Sequence, residues 1–364
     1  MKVEKLQVSG VRVRAVAVPM RRPLRTSTGA VSVAPLLLVD LKTNGGIVGR
    51  SYLLAVGRHN LKPVAALVET MAEMLKGDAV APFEIEKKLR ARYTLLGVHN
   101  IVLFALSAID MCAWDACGQA LGQPVVRLLG GSPRPVLAYN SNGLGIQKTK
   151  SLMEESEQLV AAGFSAVKLR LGRPTASADI EALRAVKKAI GPKVTLMVDF
   201  NQALTVAEAV RRGRMIDAEG GVLWIEEPVR ADDFAGCARV AREVATPIQI
   251  GENFMGPEQM AQAIAAGCCD FVMPDAQRIG GVTGWMRAAA LAQGAGLEMS
   301  SHLFAEASVQ LLAVTPTCHW LEYVDWAEPI LEQPLRIKAG RAIGAAGPGL
   351  GMRWNEKAVK KFAA

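Results

Sequence analysis

The sequence predicts an α/β fold in which a smaller α+β domain precedes a closed barrel of alternating strands and helices. Two patterns predict it. From Val136 onward, eight short β-rich runs alternate with amphipathic segments of helical periodicity. Before that point the strand-like runs come first and the helical periodicity follows, an order typical of an α+β domain. The 364 residues, 51% of them hydrophobic, are enough for one large and one smaller domain.

Residues 1–130 are predicted to form the α+β domain. Its strand-like runs and helical segments lie at residues 11–18, 35–41, 46–54, 61–75 and 101–121. The domain is expected to end near residues 130–135, where glycine and proline interrupt the pattern.

The barrel is predicted over residues 131–328. Its β-rich runs are VLAYNS, AVKLRL, TLMVDFN, VLWIEEP, IQIGEN, FVMPDA, LEMSSH and CHWLEYV. Alternating β and α units predict a parallel sheet with right-handed crossovers, and eight units predict closure. An open doubly wound sheet is the alternative, but no G-x-G-x-x-G motif follows an early strand. Residues 329–364 are expected to pack back on the first domain.

The composition does not indicate a protein that binds nucleic acid or membranes. The net charge of +8 is spread along the whole chain among nearly as many acids, which is typical of a solvated surface. The six cysteines form no C-x-x-C pair and share no window with histidine, so neither zinc nor a disulfide framework is indicated. The N-terminus lacks the apolar stretch of a signal peptide. These features predict a cytoplasmic protein.

Polar residues stand at the ends of the predicted barrel strands, where a buried run should not tolerate them. They are Ser141, Lys168 with Arg170, Asp199 with Asn201, Glu226 with Glu227, Glu252 with Asn253, Asp275, Ser301 with His302, and Glu322. From Asp199 to His302 the successive acids and the histidine are 23 to 27 residues apart, about the length of one βα unit. In a barrel these positions converge on the C-terminal face, where barrel active sites lie.

Three neighbouring carboxylates, Asp199, Glu226 and Glu252, predict a metal site. Burying several carboxylates together is prohibitive unless cations or hydrogen bonds compensate them. Oxygen ligands without histidine or thiolate suit Mg²⁺, with Mn²⁺ as a substitute. The alternative is that these acids cap the helices that follow them. Glu227 is excluded from the ligand set, because the residue after Glu226 should point to the opposite face of the strand.

The motifs AVKLR, MVDFNQ, WIEEP, IGEN, MPDAQRIGGVTGW, SSHLF and HWLE, in this order and spacing, resemble the mandelate racemase group of the enolase superfamily. The likeness extends to RPLRTSTGAVSVAPLLLVDL near the start. It implies an α+β capping domain over a modified (β/α)₇β barrel, and a symmetric homo-oligomer. It also implies one Mg²⁺ on Asp199, Glu226 and Glu252, and acid/base groups on strands two, six and seven.

The chemistry that the resemblance implies is removal of the proton next to the carboxylate of a small substrate, through an enediolate stabilised by the metal. Its acid/base groups match Lys168 and Arg170 on strand two, the Asp275 and His302 dyad, and Glu322 on the last strand. His302 is the expected base, since imidazole titrates near neutral pH and Asp275 can orient it. Lys168 is expected to pair with the substrate carboxylate, and Glu322 to be a protonated acid that donates to it.

Arg170 departs from the Lys-x-Lys pattern of the racemases. Racemisation needs a base on each face of the substrate, and arginine is a poor base at neutral pH. The alternative is an acid-sugar dehydratase in which His302 is the single base and Arg170 an electrostatic clamp.

The predicted pocket lining favours the racemase. Ser141 and Asn201 are predicted to bind substrate together with Lys168, Leu24 and Val31. The segment around Leu24 and Val31 is mostly apolar, which suits an aryl or alkyl 2-hydroxy acid better than a polyhydroxylated chain. A non-catalytic metal-dependent binding protein is disfavoured, because the acid/base groups are all present.

Overall fold

The computed structural model describes residues 6–364, so the first five residues of the predicted first domain lie outside it. The first domain opens with a three-stranded antiparallel sheet in the order β1-β2-β3. Its strands are β1 (Val8–Thr26), β2 (Gly29–Thr43) and β3 (Val48–Leu54). The first two strands are longer than predicted, because their pairing resumes after an irregularity between Pro19 and Leu24 and continues to a tight tip.

Three helices complete the first domain. They are α1 (Leu61–Met74), α2 (Pro82–Arg92) and α3 (Asn100–Leu121), followed by the short α4 (Val125–Leu128). The sequence patterns did not indicate α2, whose 11 residues are mostly charged. α3 is long and apolar enough to cross a membrane by composition, but 89% of its most apolar window is buried inside the protein. It packs between β3 and a barrel helix, as a core helix does.

The predicted barrel is confirmed, with eight parallel strands and seven intervening helices. The strands are β4 (Val136–Asn140), β5 (Ala166–Arg170), β6 (Thr195–Asp199), β7 (Ile225–Glu226), β8 (Ile248–Ile250), β9 (Phe271–Val272), β10 (Glu298–Met299) and β11 (Leu321–Tyr323). The helices are α5 (Thr149–Ala161), α6 (Ala176–Ile190), α7 (Val206–Glu219), α8 (Phe234–Glu243), α9 (Pro257–Ala265), α10 (Gly281–Ala295) and α11 (Ala305–Val314).

Closure of the sheet excludes the open doubly wound alternative. β11 pairs in parallel with β4, the first barrel strand. On its other side, the segment leading into β11 bonds to the end of β10, through Met299 N to Thr317 O at 2.8 Å and His319 N to Met299 O at 2.9 Å. All strand ends therefore meet around one ring, which brings distant parts of the sequence to the same face.

The C-terminal segment contacts both domains, which differs from the expectation that it packs on the first domain. Strands β12 (Arg336–Lys338) and β13 (Arg341–Ile343) form a hairpin, and β13 pairs with the start of β4. That pairing satisfies the backbone hydrogen-bonding groups at the start of β4, before β4 pairs with its neighbours in the barrel. The following residues, including α12 (Glu356–Lys361), return to the first domain, where Trp354 Nε1 donates to Asp40 at 2.6 Å.

Candidate active site

The polar residues predicted to converge lie together at the C-terminal ends of the barrel strands. Arg170, Asp199 and Glu226 are the last residues of β5, β6 and β7. Asp275 and His302, which follow β9 and β10, form a bridge of parallel type. The sequence predicted this convergence because parallel strands place all their carboxyl ends on one side.

Asp199, Glu226 and Glu252 form a group whose ligand oxygens all lie within 4.8 Å of one another. Asp199 and Glu226 are at most 1% exposed, so their charges are largely removed from water. The donor set consists of carboxylate oxygens alone, which fits Mg²⁺ and does not fit a metal that prefers sulfur or nitrogen. A helix-cap role does not account for this mutual approach, since caps would point at separate helices.

Asn201 lies against the first of these acids. Its backbone N–H donates to Asp199 Oδ1 at 2.7 Å and its side-chain Nδ2 donates to Oδ2 at 3.0 Å. Its backbone is left-handed, with φ of 45°, a conformation that asparagine tolerates better than most residues. Its Oδ1 is buried and has no hydrogen-bond partner among residues 6–364. Asn201, which the sequence predicted to bind substrate, thus holds both carboxylate oxygens of Asp199 in place.

Lys168 stands between three carboxylates. Its Nζ lies 2.5 Å from Glu226 Oε1, 2.9 Å from Glu322 Oε1 and 3.2 Å from Asp199 Oδ2. Burial lowers the pKa of Lys168, but attraction by Glu226 and Glu322 outweighs burial and raises it well above the usual value. The side chain is therefore a permanent cation at the centre of the acidic group.

Glu226 remains poorly compensated despite this lysine. Burial is the largest influence and raises its pKa to about 8, Lys168 lowers it, and the neighbouring acids raise it further. A divalent cation among these acids would stabilise the ionised form.

His302 and Asp275 form the predicted dyad. His302 Nδ1 lies 2.7 Å from Asp275 Oδ2, and its Nε2 faces Glu252 at 3.6 Å and Glu322 at 3.7 Å. Asp275 is itself held, because its Oδ1 accepts the backbone N–H of Gln277 at 2.7 Å. Burial lowers the pKa of His302, but Glu252, Glu322 and the bond to Asp275 raise it to about 10. The imidazole is a strong base whose Nε2 points toward the acidic group.

Glu322 differs from the expectation of a protonated acid. Burial raises its pKa, but Lys168 and His302 outweigh burial, and the pKa of Glu322 lies well below its usual range. Its Oε2 also accepts the backbone N–H of Leu303 at 3.0 Å. With a cation on one oxygen and an N–H on the other, the carboxyl group is ionised. The sequence predicted a protonated acid from the surrounding acids alone, without the position of Lys168.

The guanidinium of Arg170 is fixed to the loop after β4. Its Nη1 donates to the backbone carbonyls of Ser141 at 3.0 Å and Gly143 at 2.9 Å, and its Nη2 lies 3.2 Å from Ser141 Oγ. The side chain is 4% exposed. Three donated hydrogen bonds fix its position. Ser141, predicted to bind substrate, contributes its carbonyl and hydroxyl oxygens to Arg170.

Glu227 lies beside the site rather than on the opposite face of the strand. β7 ends at Glu226, and the backbone of Glu227 turns into the left-handed region with φ of 39°. Its carboxylate accepts both bonds from Asn253 Nδ2, at 2.8 and 2.9 Å. Strand alternation does not apply once the strand has ended.

The first domain covers this face of the barrel. Gln277 binds the backbone of Leu54 at the end of β3 with both ends of its amide. The tip of the β1–β2 hairpin reaches the loop after β4, where Ile146 N donates to Arg25 O at 3.0 Å. Leu24 and Val31 pair across this hairpin, with Leu24 half-buried and Val31 47% exposed.

A small apolar cavity lies where the two domains meet. Some of its lining residues closely follow His302 and Glu322 in the sequence. It is lined by Leu36, Tyr52, Leu54, Leu303, Phe304, Val324, Trp326 and Ala327. No pattern in the sequence indicated the lining residues of the barrel loops, although Leu303 and Val324 lie one and two positions after His302 and Glu322.

Comparison with known proteins settles the family. Residues 8–130 match the N-terminal domain of the mandelate racemase / muconate lactonizing enzyme family, and residues 151–358 match the enolase C-terminal domain-like family. The chain belongs to the mandelate racemase / muconate lactonizing enzyme family of the enolase superfamily. It is an enzyme, and its cofactor is Mg²⁺.

Relatives of this enzyme include dehydratases. It is 31% identical over 333 residues to the L-talarate/galactarate dehydratase of Salmonella typhimurium LT2, covering 89% of this chain and 81% of the relative. It is 30% identical over 352 residues to the D-gluconate dehydratase of Thermoproteus tenax, covering 90% of this chain and 70% of the relative.

A solved structure is more similar to this enzyme in sequence than these two dehydratases are. An enolase from Bradyrhizobium complexed with magnesium and mandelic acid is 43% identical, with a TM-score of 0.95 and 99% of each chain covered.

Proposed function

We propose that this enzyme is a Mg²⁺-dependent acid-sugar dehydratase in which His302 is the single base. The hydrogen bonds of the Arg170 guanidinium carry the proposal. Its guanidinium donates to two backbone carbonyls and lies within hydrogen-bond distance of a hydroxyl, and a protonated guanidinium has no lone pair to accept a proton. Racemisation needs a base on each face of the substrate, and His302 is the one base that we assign.

Asp199, Glu226 and Glu252 would hold the Mg²⁺ ion, which supplies neutralisation of the charge that develops on the substrate carboxylate. Lys168 adds a second positive charge to the same region, and its contacts with Glu226 and Glu322 keep it there. Both positive charges would lower the energy of the enediolate relative to the bound substrate.

His302 moves the proton. In the neutral imidazole, Nδ1–H is held by Asp275 and the lone pair of Nε2 can take the α-proton. A cation bound to Glu252 would favour this neutral form, because it would offset the carboxylate that most raises the pKa of His302. The electrons of the broken C–H bond form the enediolate. When the carboxylate re-forms, these electrons make a double bond between the α- and β-carbons and the β-hydroxyl leaves. The imidazolium of His302 returns its proton to that hydroxyl, so water is released and the enol product tautomerises to a 2-keto-3-deoxy acid.

A racemase of aryl or alkyl 2-hydroxy acids is the second candidate. One observation favours it: the likeness to the Bradyrhizobium protein complexed with mandelic acid. This reaction requires Arg170 to give up its bonds to the β4 loop and lose a proton, which is costly for a group with a pKa above about 12.

The test uses heavy water and NMR. The enzyme with Mg²⁺ is incubated with each enantiomer of mandelate, and separately with acid sugars that include galactarate, gluconate and arabinonate. We expect a 2-keto-3-deoxy product from at least one acid sugar and no inversion of mandelate. Exchange of the α-proton from both mandelate enantiomers with inversion would refute the single-base proposal and establish the racemase.

Two variants and one control variant assign the roles. His302→Asn should abolish product formation, whereas His99→Asn, which changes an exposed histidine, should leave it intact. Arg170→Lys introduces a side chain that can act as a base. A gain of inversion in Arg170→Lys supports the clamp role of the wild-type arginine, and full activity of His302→Asn would show that the base is elsewhere.

A further inference from the structure

We propose that Trp224 is a positioning residue for the magnesium site, because its indole N–H fixes one carboxylate oxygen of Glu226. Nε1 of Trp224 donates to Glu226 Oε2 at 3.1 Å. The other oxygen, Oε1, lies on the side of Lys168. The inference rests on the proposed ligand set and is independent of which reaction follows.

The indole is suited to this role by its chemistry. It is a hydrogen-bond donor only and does not ionise near neutral pH, so the oxygen it binds is always an acceptor. The bond therefore fixes the orientation of that oxygen. Gln249 Nε2 lies 3.4 Å from the same oxygen but also 3.1 Å from Met273 Sδ. Trp224 is therefore the closer donor to Glu226 Oε2.

The interior of the barrel holds the indole in place. Trp224 is fully buried and immediately precedes β7, two residues before Glu226. Residues two apart in extended chain point to the same side, in agreement with the bond between the two side chains. Its ring contacts Tyr139, His319 and Phe271, with centroids 5.5, 5.6 and 6.3 Å away. These contacts restrict rotation of the indole. The aromatic layer below the site thereby sets the orientation of a ligand carboxylate above it.

Losing the N–H should weaken Mg²⁺ binding. Mg²⁺ demands near-octahedral geometry, so a ligand carboxylate that can rotate binds it less well. Removal of a hydrogen-bond partner of a metal ligand typically costs about 10- to 100-fold in metal affinity. A tryptophan that only fills the core would affect folding stability and not the affinity of the folded protein for the ion.

Trp224→Phe is compared with Trp285→Phe as a matched control. Trp285 is also fully buried and also donates through its indole N–H at 3.1 Å, but its acceptor is Thr315 Oγ1. The dissociation constant of Mg²⁺ is measured by calorimetry on metal-stripped protein without substrate, with circular dichroism to establish that each variant is folded. We expect about 10- to 100-fold weaker binding in Trp224→Phe and binding within about twofold of wild type in Trp285→Phe.

Benzothienylalanine at position 224 provides a second variant, because it keeps the shape of the indole and lacks the N–H. It should weaken Mg²⁺ binding as Trp224→Phe does. Wild-type affinity in this variant, or equal weakening in Trp285→Phe, overturns the positioning role. If the wild-type protein itself binds no Mg²⁺, the proposed ligand set fails instead, so the two failures are distinguishable.

Discussion

Asp110 joins the capping domain to the barrel through a buried carboxylate, and we predict that it makes stability depend on pH. It lies on α3, is 1% exposed, and accepts the backbone N–H of Thr283 at 3.0 Å and the Thr283 hydroxyl at 2.5 Å. Thr283 is in the first turn of α10, so Asp110 caps a barrel helix from the other domain.

The size of this pH dependence of stability follows from the pKa of Asp110. Burial raises it from 3.8 to about 7, and the bonds from Thr283 offset only part of this increase. Between these values the folded protein holds a proton that the unfolded chain has lost. The contribution of Asp110 to stability is therefore largest below pH 4 and is lost as pH rises through 7. From pH 5 to pH 8 the loss is about 2.5 kcal/mol.

Replacement by asparagine removes this titration and keeps the shape of the side chain. Urea unfolding of metal-stripped wild-type protein and Asp110→Asn at pH 5 and pH 8 gives the two free energies of unfolding. We expect the wild type to lose about 2.5 kcal/mol more than the variant over this interval, since all other groups are shared.

Asp115 provides a graded comparison, because burial raises its pKa from 3.8 to about 6. Asp115→Asn should give a difference of about 1.4 kcal/mol over the same interval. The prediction is wrong if the difference in the free energy of unfolding between wild type and Asp110→Asn is the same at pH 5 and pH 8, or if it changes in the opposite direction.

Two further predictions concern the metal and the capping hairpin. At a Mg²⁺ concentration of about 100 times Kd, the free energy of unfolding should rise by about 2.7 kcal/mol, and Asp199→Asn should remove most of this gain in a thermal or urea titration. Gly145→Ala should raise KM more than it lowers kcat, because a Cβ there would lie 2.6 Å from Arg25 O and displace the hairpin tip. Gly294→Ala, where a Cβ meets nothing within 4 Å, is the control, and an equal rise of KM in both variants would contradict a role of the tip.

Some expectations remain predictions. The division at residue 130, the symmetric homo-oligomer and the cytoplasmic location depend on features of the sequence that neither the fold nor the relatives test. Size-exclusion chromatography with light scattering would measure the oligomer directly.

The sequence by itself determined the barrel and the position of its site. Alternation of β-rich and helical segments is a local property of the chain, and parallel pairing then places every strand end on one face. For this reason Asp199, Glu226, Glu252, Asp275 and His302 could be grouped from their positions at predicted strand ends and their spacing, whereas the pairing of Asp275 with His302 was implied by the family resemblance. α2 was missed because its apolar stripe is short, consisting of Pro82, Ile85 and Leu89 among mostly charged residues.

The tertiary structure alone decided the charge and partners of the groups around the metal site. Glu322 is ionised because Lys168 reaches it, and Arg170 is fixed because carbonyls about 30 residues earlier in the chain face it. The bond from Trp224 to Glu226 depends on the aromatic layer that holds the indole. Such contacts depend on which side chains lie within hydrogen-bond distance of the same partner. These distances are set by the three-dimensional fold, and no local pattern of residues contains them.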